Sequence, residues 1–284
     1  MLSSIILNSK NIVNDGYNNK LKYSFPTPVE FKKNGITVAG LDVFYSWFNI
    51  SNDYANNVFS YRWFDNTGTG YTTYSVLIPD GFYDVKSLNA YLQSVFISNK
   101  HYVVDQSNKK IFLLEMVTNP TYYACQLNAY AINNTYLTSM NWTVPAGATW
   151  TIGATILMPQ FIIQSNAFRD VIGFDAGVYP VVGSPVTGVI NSVKSTYCPE
   201  VSPVNSLILR CNLLSSKYCN PNDILTSFPI NASFGSIVSF HPNSTNFINI
   251  RDGIYNEILI TICDQNYNPI KIIDPSMVVQ LLIQ

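Results

Sequence analysis

Residues 257–283 have the sequence EILITICDQNYNPIKIIDPSMVVQLLI, in which a polar segment separates two apolar runs. The runs Glu257 to Cys263 and Met277 to Ile283 have the length of β-strands and are rich in Ile, Leu and Val. Between them, Asn266-Tyr267-Asn268-Pro269 has the residue types that favour a turn. We therefore predict two β-strands that pair antiparallel across this turn.

Short runs of this kind continue along the whole chain. Val, Ile, Thr, Tyr and Phe are common in them, and clusters of Asn, Gly, Asp and Pro separate them. This rhythm is typical of β-sandwiches and barrels, so it predicts an all-β protein. The other predicted strands are Ile36 to Ile50, Tyr71 to Ile78, Tyr102 to Asp105, Ile111 to Val117, Tyr122 to Tyr130, Gln160 to Gln164, Leu207 to Leu213 and Ser236 to Phe240.

One segment has helical spacing instead. Asp84 is a residue type that caps helix N-termini, and apolar residues recur every three or four positions after it. We predict one short amphipathic helix that begins after Asp84, and a shorter helical turn over Ser165 to Val171. The apolar positions of the first helix are Val85, Leu88, Tyr91, Leu92, Val95 and Phe96.

No internal repeat, charge block or low-complexity linker divides the chain. We therefore predict a single domain over residues 21–284, preceded by an N-terminal arm over residues 1–20. The polar, Asn-rich part of that arm, Asn8 to Asn19, suggests flexibility. Residues 178–197 include Pro180 and Gly183 among several loop-forming residues, and they predict a loop-rich excursion within the domain.

The composition combines many apolar residues with few charges. Hydrophobic residues make up 47% of the 284 and charged residues 12%, while 16 basic and 17 acidic residues give a formal net charge of -1. Such a chain has no long-range field that attracts nucleic acid or anionic lipid, so sequence-specific nucleic-acid binding is not expected. Near-zero net charge also promotes association, which is a hint of an oligomer.

The segment Met1 to Asn8 lacks the basic region and the apolar run of a signal peptide, and no later segment is long enough to span a membrane. We therefore expect a protein that is not secreted. The five cysteines are odd in number and scattered, unlike a disulfide scaffold, so reduced and buried thiols are expected. They are Cys125, Cys198, Cys211, Cys219 and Cys263.

Residues with catalytic potential form no recognisable constellation. His101 and His241 lie at no zinc-site spacing from Cys or carboxylates, and we expect both on the surface or in turns. Gly183-Ser184-Pro185 lacks the second glycine of a nucleophile elbow. Gly68-Thr69-Gly70 precedes a strand-like run, which predicts a hairpin turn rather than a phosphate loop. We assign no catalytic, cofactor-binding or metal-binding residue and predict a protein that is not an enzyme.

The residues also allow two other kinds of site, a glycosidase site and an aromatic binding surface. A glycosidase needs two carboxylates across a cleft, and Asp105 with Glu115, or Asp170 with Asp175, are such pairs. Exposed aromatic side chains stack on sugars or bases, but aromatic residues also fill a sandwich core or a subunit interface, and we favour a place in the core or an interface. The aromatic candidates are Tyr71, Tyr74, Trp142 and Trp150.

Several segments, taken together and in order, carry a family resemblance. In residues 76–93, VLIPDGFYDVKSLNAYLQ, a strand, a Pro-x-Gly-x-Tyr turn and a helix with Leu-Asn-x-x-Leu follow one another. From about Ile36 to its end the chain resembles the penton proteins of virophages and Polinton-like viruses. The other segments are residues 119–127 (NPTYYACQL), 158–160 (MPQ), 172–180 (IGFDAGVYP), 206–213 (SLILRCNL), 258–265 (ILITICDQ) and 275–283 (PSMVVQLLI).

This resemblance implies an eight-stranded jelly-roll β-sandwich of two antiparallel sheets, with inserted strands and loops. It implies a structural protein of the virion, made in the cytoplasm of a host cell, of which five copies form a head-to-tail homopentamer at each fivefold vertex of an icosahedral capsid. The implied partners are other copies of the chain and a double jelly-roll major capsid protein, with no cofactor. The alternatives are a jelly-roll carbohydrate-binding or attachment module and, less favoured, a glycoside hydrolase on a β-sandwich.

Overall fold

The computed structural model of the protein describes residues 2–181 and 183–284; Met1 of the predicted arm and Val182 of the predicted excursion lie outside the described residues. Antiparallel strands dominate it, so the all-β prediction is confirmed. The strands are β1 (Ser3–Asn8), β2 (Lys20–Phe31), β3 (Gly35–Phe44), β4 (Val58–Phe64), β5 (Tyr71–Leu77), β6 (Val103–Val104), β7 (Lys110–Ile111), β8 (Leu114–Asn119), β9 (Ala124–Tyr130), β10 (Gln160–Ile163), β11 (Gly177–Tyr179), β12 (Ile190–Lys194), β13 (Ser206–Cys211), β14 (Ile224–Pro229), β15 (Ile237–Phe240), β16 (Ile248–Asn249), β17 (Gly253–Cys263) and β18 (Met277–Ile283). The helices are α1 (Val85–Asn99), α2 (Asn134–Ser139) and α3 (Phe168–Ile172).

The chain forms two compact units where the sequence predicted one domain over residues 21–284. The terminal unit consists of Met1–Phe48 and Ser202–Gln284, and the inserted unit consists of Asn49–Val201. The inserted unit has its own core of buried apolar side chains, which extends from Ile50 to Phe174. No linker composition marks the ends of the inserted unit, and the single domain over residues 21–284 stays a prediction.

The terminal unit is a jelly roll. Its first sheet has the strand order β1-β18-β3-β15, with β16 also paired to β3, and its second sheet has the order β14-β13-β17-β2. Counted along the chain without β16, these are the first, eighth, third and sixth strands in one sheet, and the fifth, fourth, seventh and second in the other. This interleaved order defines an eight-stranded jelly roll, so the predicted fold is confirmed.

The pairing predicted across residues 264–276 is wrong. β17 lies between β13 and β2 in the second sheet, whereas β18 lies between β1 and β3 in the first. Both runs are strongly apolar because each is an inner strand of its own sheet, and such a run does not reveal which strand it pairs with. The turn residues belong to a connection that crosses from one sheet to the other.

Part of the predicted N-terminal arm is a strand. β1 pairs antiparallel with β18, from Ser3 opposite Ile283 to Asn8 opposite Val278. Leu7 is completely buried, so this strand contributes to the core of the jelly roll. The polar segment 9–19, which suggested flexibility, is the connection from β1 to β2 and crosses between the sheets.

The inserted unit contains a four-stranded sheet of order β11-β10-β4-β5, a three-stranded sheet of order β12-β9-β8 and the β6-β7 pair. α1 packs on β8, and the Asn89 Oδ1 atom accepts a hydrogen bond of 2.9 Å from the Met116 backbone N–H. Asp84 caps α1 as predicted, in a reciprocal capping box with Ser87.

The hairpin between β4 and β5 is also confirmed. Gly68 in its turn has a φ of +70° and lies so close to the Gly153 backbone that a side chain would not fit.

Several predicted boundaries shift. β3 ends at Phe44 rather than at Ile50, and the run Ile111 to Val117 divides between β7 and β8. The short turn predicted over Ser165 to Val171 is α3, displaced toward the C-terminus. The excursion predicted over residues 178–197 contains β12, which pairs with β9. Boundaries are set by hydrogen-bond partners distant in sequence, so local composition places them poorly.

Asn49 joins the two ends of the inserted unit. Its amide nitrogen donates to the carbonyls of Tyr83 (2.7 Å) and Val201 (2.8 Å), and its oxygen accepts from the Tyr83 N–H (2.8 Å). The side chain is buried, so these bonds form away from water. The chain therefore enters and leaves the inserted unit at neighbouring points.

Candidate interaction surfaces

His101 is buried in the core of the inserted unit, contrary to the prediction of a surface or turn position. Its ring stacks on Trp63 at 5.0 Å and meets the edge of Tyr74 at 4.5 Å. The Tyr61 hydroxyl lies 2.7 Å from Nδ1 of His101 and accepts a bond of 3.1 Å from the Asn99 amide. Burial lowers the pKa of His101 to about 4. This histidine is neutral at pH 7 and has a structural role that spacing in the sequence does not reveal.

His241 is exposed, as predicted, beside Asp42. The imidazole Nε2 lies 3.5 Å from Asp42 Oδ1, and the Ser239 hydroxyl donates to the same oxygen at 2.5 Å. A serine nucleophile needs its hydroxyl to donate to a base such as histidine. Because Ser239 donates to the carboxylate, this trio does not have the geometry of a catalytic triad.

Two of the four carboxylates considered for glycosidase chemistry, Asp105 and Asp170, have structural partners. Asp105 accepts the backbone N–H groups of Ser107 (2.8 Å) and Lys109 (2.9 Å), which closes the turn before β7. Asp170 lies 3.4 Å from the neighbouring Arg169 and near Glu200, whose pKa is raised by burial and by the Asp170 charge. These contacts account for the two acids without a catalytic role.

The five cysteines are free thiols, and the predicted burial is right for three of them. Burial raises the pKa of both Cys125 and Cys211 to about 12, so these thiols stay protonated and unreactive near pH 7. The prediction is wrong for Cys198 and Cys219, which are exposed. They lie in loops, where composition gives little information on burial.

The aromatic candidates mainly fill the core, as favoured. Trp150 is buried, meets Trp63 edge-on at 5.4 Å and donates its Nε1–H to the Lys100 carbonyl (2.9 Å). Tyr74 stacks on Tyr61, and Trp142 packs against Tyr136. The fourth candidate, Tyr71, is 37% exposed and accepts the Met158 N–H at 3.1 Å.

Within the described ranges 2–181 and 183–284, no group of three His, Cys, Asp or Glu side chains is arranged to hold a metal ion. Across the same residues, no helix has both the length and the apolar character needed to cross a membrane.

The outer surface of the first jelly-roll sheet carries exposed apolar side chains beside the polar Asp42, Ser239 and Gln280, and it is called the apolar face here. It carries Ile6, Phe44, Ile237 and Val278, of which Ile6 is 60%, Ile237 51% and Val278 43% exposed. A hollow of about 400 Å³ lies on it, lined by Phe44, Ile237 and Val278, with Asp42 and Lys10 among the other lining residues. Exposed apolar side chains that line one hollow are typical of sites of association.

The outer surface of the second sheet carries ion pairs and is called the paired face. Arg210 on β13 makes two bonds of 2.9 Å to Asp223. Lys22 on β2 lies 2.8 Å from Glu257 on β17, which links the two strands. Lys20 makes a further pair with Asp15 at 2.8 Å. This face is suited to contact with water or with polar groups.

No protein-family model and no curated protein matches the chain. Among solved structures it is similar to the selenomethionine-labelled mavirus penton protein, with 12% identity, a TM-score of 0.46, and coverage of 100% of this chain and 98% of that one. It is also similar to a chain in the cryo-EM structure of the Sputnik virophage, with 12% identity, a TM-score of 0.38, and coverage of 100% and 96%. Both TM-scores lie below 0.5, and the jelly-roll assignment rests on the strand order of the terminal unit itself.

Proposed function

We propose that this protein is a structural, non-enzymatic subunit of an icosahedral virus capsid, located in the virion. Five copies form a head-to-tail ring that closes a fivefold vertex and docks among double jelly-roll major capsid subunits. The observation that carries the proposal is the apolar face, because the exposed side chains of Ile237 and Val278 line one hollow that a partner subunit can cover. The ordered sequence motifs that resemble penton proteins support the same conclusion.

A head-to-tail ring requires two different surfaces on each subunit, since each copy contacts one neighbour with one surface and the next neighbour with another. The apolar face, around Ile237 and Val278, is suited to one of these contacts. A hollow of about 400 Å³ on this face offers room for side chains of a neighbouring subunit. The low content of charged residues, 12% of the chain, also favours a protein with much of its surface covered in an assembly.

The arrangement of titratable groups supports the absence of an enzymatic role. His101 is buried and neutral, Asp84 caps a helix, and Asp105 closes a turn. Each of these groups is used to stabilise the fold. The Ser239 hydroxyl is bound to a carboxylate rather than to an imidazole.

Native mass spectrometry of the full chain tests the proposal. We expect a species of five chains, alone or in the presence of the capsid subunits. The double variant Ile237→Glu/Val278→Asp should reduce the pentamer at least tenfold, because it places charges in an apolar contact. The control Ser227→Glu adds one charge at an exposed position of β14 in the second sheet and should fold equally well.

A chain that stays monomeric at high concentration, with and without capsid subunits, would contradict the proposal. If the double variant Ile237→Glu/Val278→Asp forms as much pentamer as the wild type, the contact between subunits does not use the apolar face. The observation that carries the proposal would then be lost. Circular dichroism of both variants separates loss of assembly from loss of folding.

A further inference from the structure

The sheet β12-β9-β8 of the inserted unit has one face in the core and one face in contact with solvent. Leu114, Met116 and Leu127 point into the core. The residues between them on the same strands point the other way, as the period of two in a β-strand requires. We call the outer surface the amide face; it carries Glu115, Val117, Asn119, Gln126, Asn128, Tyr130, Ile190, Ser192 and Lys194.

A chain of hydrogen bonds connects the amides of this face. The Asn119 nitrogen donates to Gln126 Oε1 at 2.9 Å, and the Gln126 nitrogen donates to Asn128 Oδ1 at 2.8 Å. The Ser192 hydroxyl on β12 donates to the same Asn128 oxygen at 2.8 Å. These bonds hold the side chains in place and leave the Asn128 nitrogen and the Asn119 oxygen available for a ligand. The surface therefore presents ordered donors and acceptors across three strands.

An exposed aromatic ring stands at one end of the amide face. Tyr122, in the turn before β9, is 62% exposed, and the Lys194 ammonium lies 3.5 Å from the centre of its ring. This contact holds the ring at the end of the strand that carries Lys194. Tyr130 is half-buried at the other end of β9. An aromatic ring beside an array of amides is a surface on which a sugar ring can stack while its hydroxyl groups are hydrogen-bonded.

Glu115 lies on β8, the edge strand of this sheet, opposite Asn128 on the middle strand β9. Within the part of the chain that the structure describes, its carboxylate has neither a hydrogen bond nor an ion pair, although it is half-buried and its pKa is raised by burial. A half-buried carboxylate gains most from hydroxyl donors brought by a ligand. Its charge and that of Lys194 have opposite signs, so the face has little net charge and is complementary to a neutral ligand rather than to a polyanion.

We infer that the amide face binds a neutral glycan, with a sugar ring stacked on Tyr122 and its hydroxyl groups hydrogen-bonded by Asn119, Asn128 and Glu115. The geometry fits a polyhydroxylated ligand because the available groups are amides, a hydroxyl and a carboxylate on neighbouring strands of one sheet surface. This binding is independent of the proposed capsid assembly, which depends on the apolar face of the terminal unit.

The test uses the fluorescently labelled full chain on an array of neutral, sialylated and sulfated oligosaccharides, followed by calorimetric titration with the tightest neutral ligand. Tyr122→Ala and Asn128→Ala should each weaken the binding by about tenfold, the loss typical of one stacking or charge-free polar contact. Tyr122→Phe keeps the ring and should retain most of the affinity. The control Tyr218→Ala removes a tyrosine that is 97% exposed in the terminal unit and should leave the affinity unchanged.

Absence of neutral glycans among the bound ligands would overturn the inference, as would equal affinity of the wild type and Tyr122→Ala. Binding only to sulfated ligands that is lost at high salt would also overturn the inference, because such binding depends on charge attraction alone. Near-UV circular dichroism checks that each variant is folded. The oligomeric state of the same samples tests the capsid proposal separately, so failure of one leaves the other standing.

Discussion

The apolar face and the paired face are the two outer surfaces of one jelly roll, and they differ in what they present. On the first sheet, Ile6, Ile237 and Val278 point outward. On the second sheet, outward positions carry ion pairs such as Lys22 with Glu257, and the exposed apolar residue Ile254 lies opposite Glu30. Both sheets cover the same core, so core packing does not require this difference. It shows that the two outer surfaces are adapted to different surroundings.

The energetics of the two faces also differ. Exposed ion pairs contribute at most about 1 kcal/mol each, so the paired face gains solubility more than stability from them. Burial of apolar surface gains about 25 cal/mol per Å², so covering the residues of the apolar face is a substantial driving force for association. The difference indicates which face is left in water and which one requires a partner.

The largest expected effect on the free energy of unfolding comes from comparing a residue on the inner surface of β18 with a residue on its outer surface. Leu281 is completely buried, and Leu281→Ala should lower the free energy of unfolding by about 2–5 kcal/mol through lost burial and a cavity. Val278, three residues earlier on the outer surface, is its comparison, and Val278→Ala should change the same quantity by about 0.5 kcal/mol or less. Urea unfolding of both variants measures this. Similar losses would contradict the assignment of Val278 to an exposed face.

The two histidines extend the comparison to pH. Buried His101 has its pKa lowered from 6.5 to about 4, so the unfolded chain takes up a proton first as the pH falls. The contribution of His101 to the free energy of unfolding is therefore fully present above pH 6.5. It decreases by about 3 kcal/mol as the pH falls from 6.5 to 4. His101→Gln should flatten the pH dependence in that range, as measured by urea unfolding at a series of pH values. His241→Gln, at the exposed histidine, is the matched control, and an equal flattening there would refute the prediction.

The smallest expected effect concerns the paired face. Arg210→Lys keeps the charge but removes the two-bond contact with Asp223, and it should lower the free energy of unfolding by about 1 kcal/mol. Lys22→Ala breaks a more exposed pair and should lower it by about 0.5 kcal/mol or less. Thermal unfolding at low and high salt measures both. A decrease of 3 kcal/mol or more in the free energy of unfolding would contradict the description of these ion pairs as exposed.

The features that sequence predicted well depend on neighbours along the chain. Asp84 and Ser87 form their capping box within four residues, and the turn around Gly68 closes within a few residues of each strand. Local chemistry is sufficient for these conclusions. β18 shows the limit of local chemistry, since only Gln280 among its residues is polar and the exposure of Val278 has no signal in the sequence.

The candidate surfaces depend on strands that are distant in sequence. The amide face combines residues 114–119, 124–130 and 190–194, and the apolar face combines β1 with β18 from opposite ends of the chain. The burial of His101 depends in the same way on Trp63 and Tyr61, some forty residues earlier. No motif marks such contacts, because many apolar strands are interchangeable as partners before they pack.

The two strands of residues 257–283 separate what the sequence determined from what the tertiary structure decided. Their composition alone determined that both are buried β-strands joined by a turn-rich connection. That they lie in different sheets, each between two distant strands, was decided only by tertiary packing. A strand's side chains specify how much apolar surface it must bury, whereas its backbone hydrogen-bonds equally well to any strand in register, so partner choice depends on the whole core.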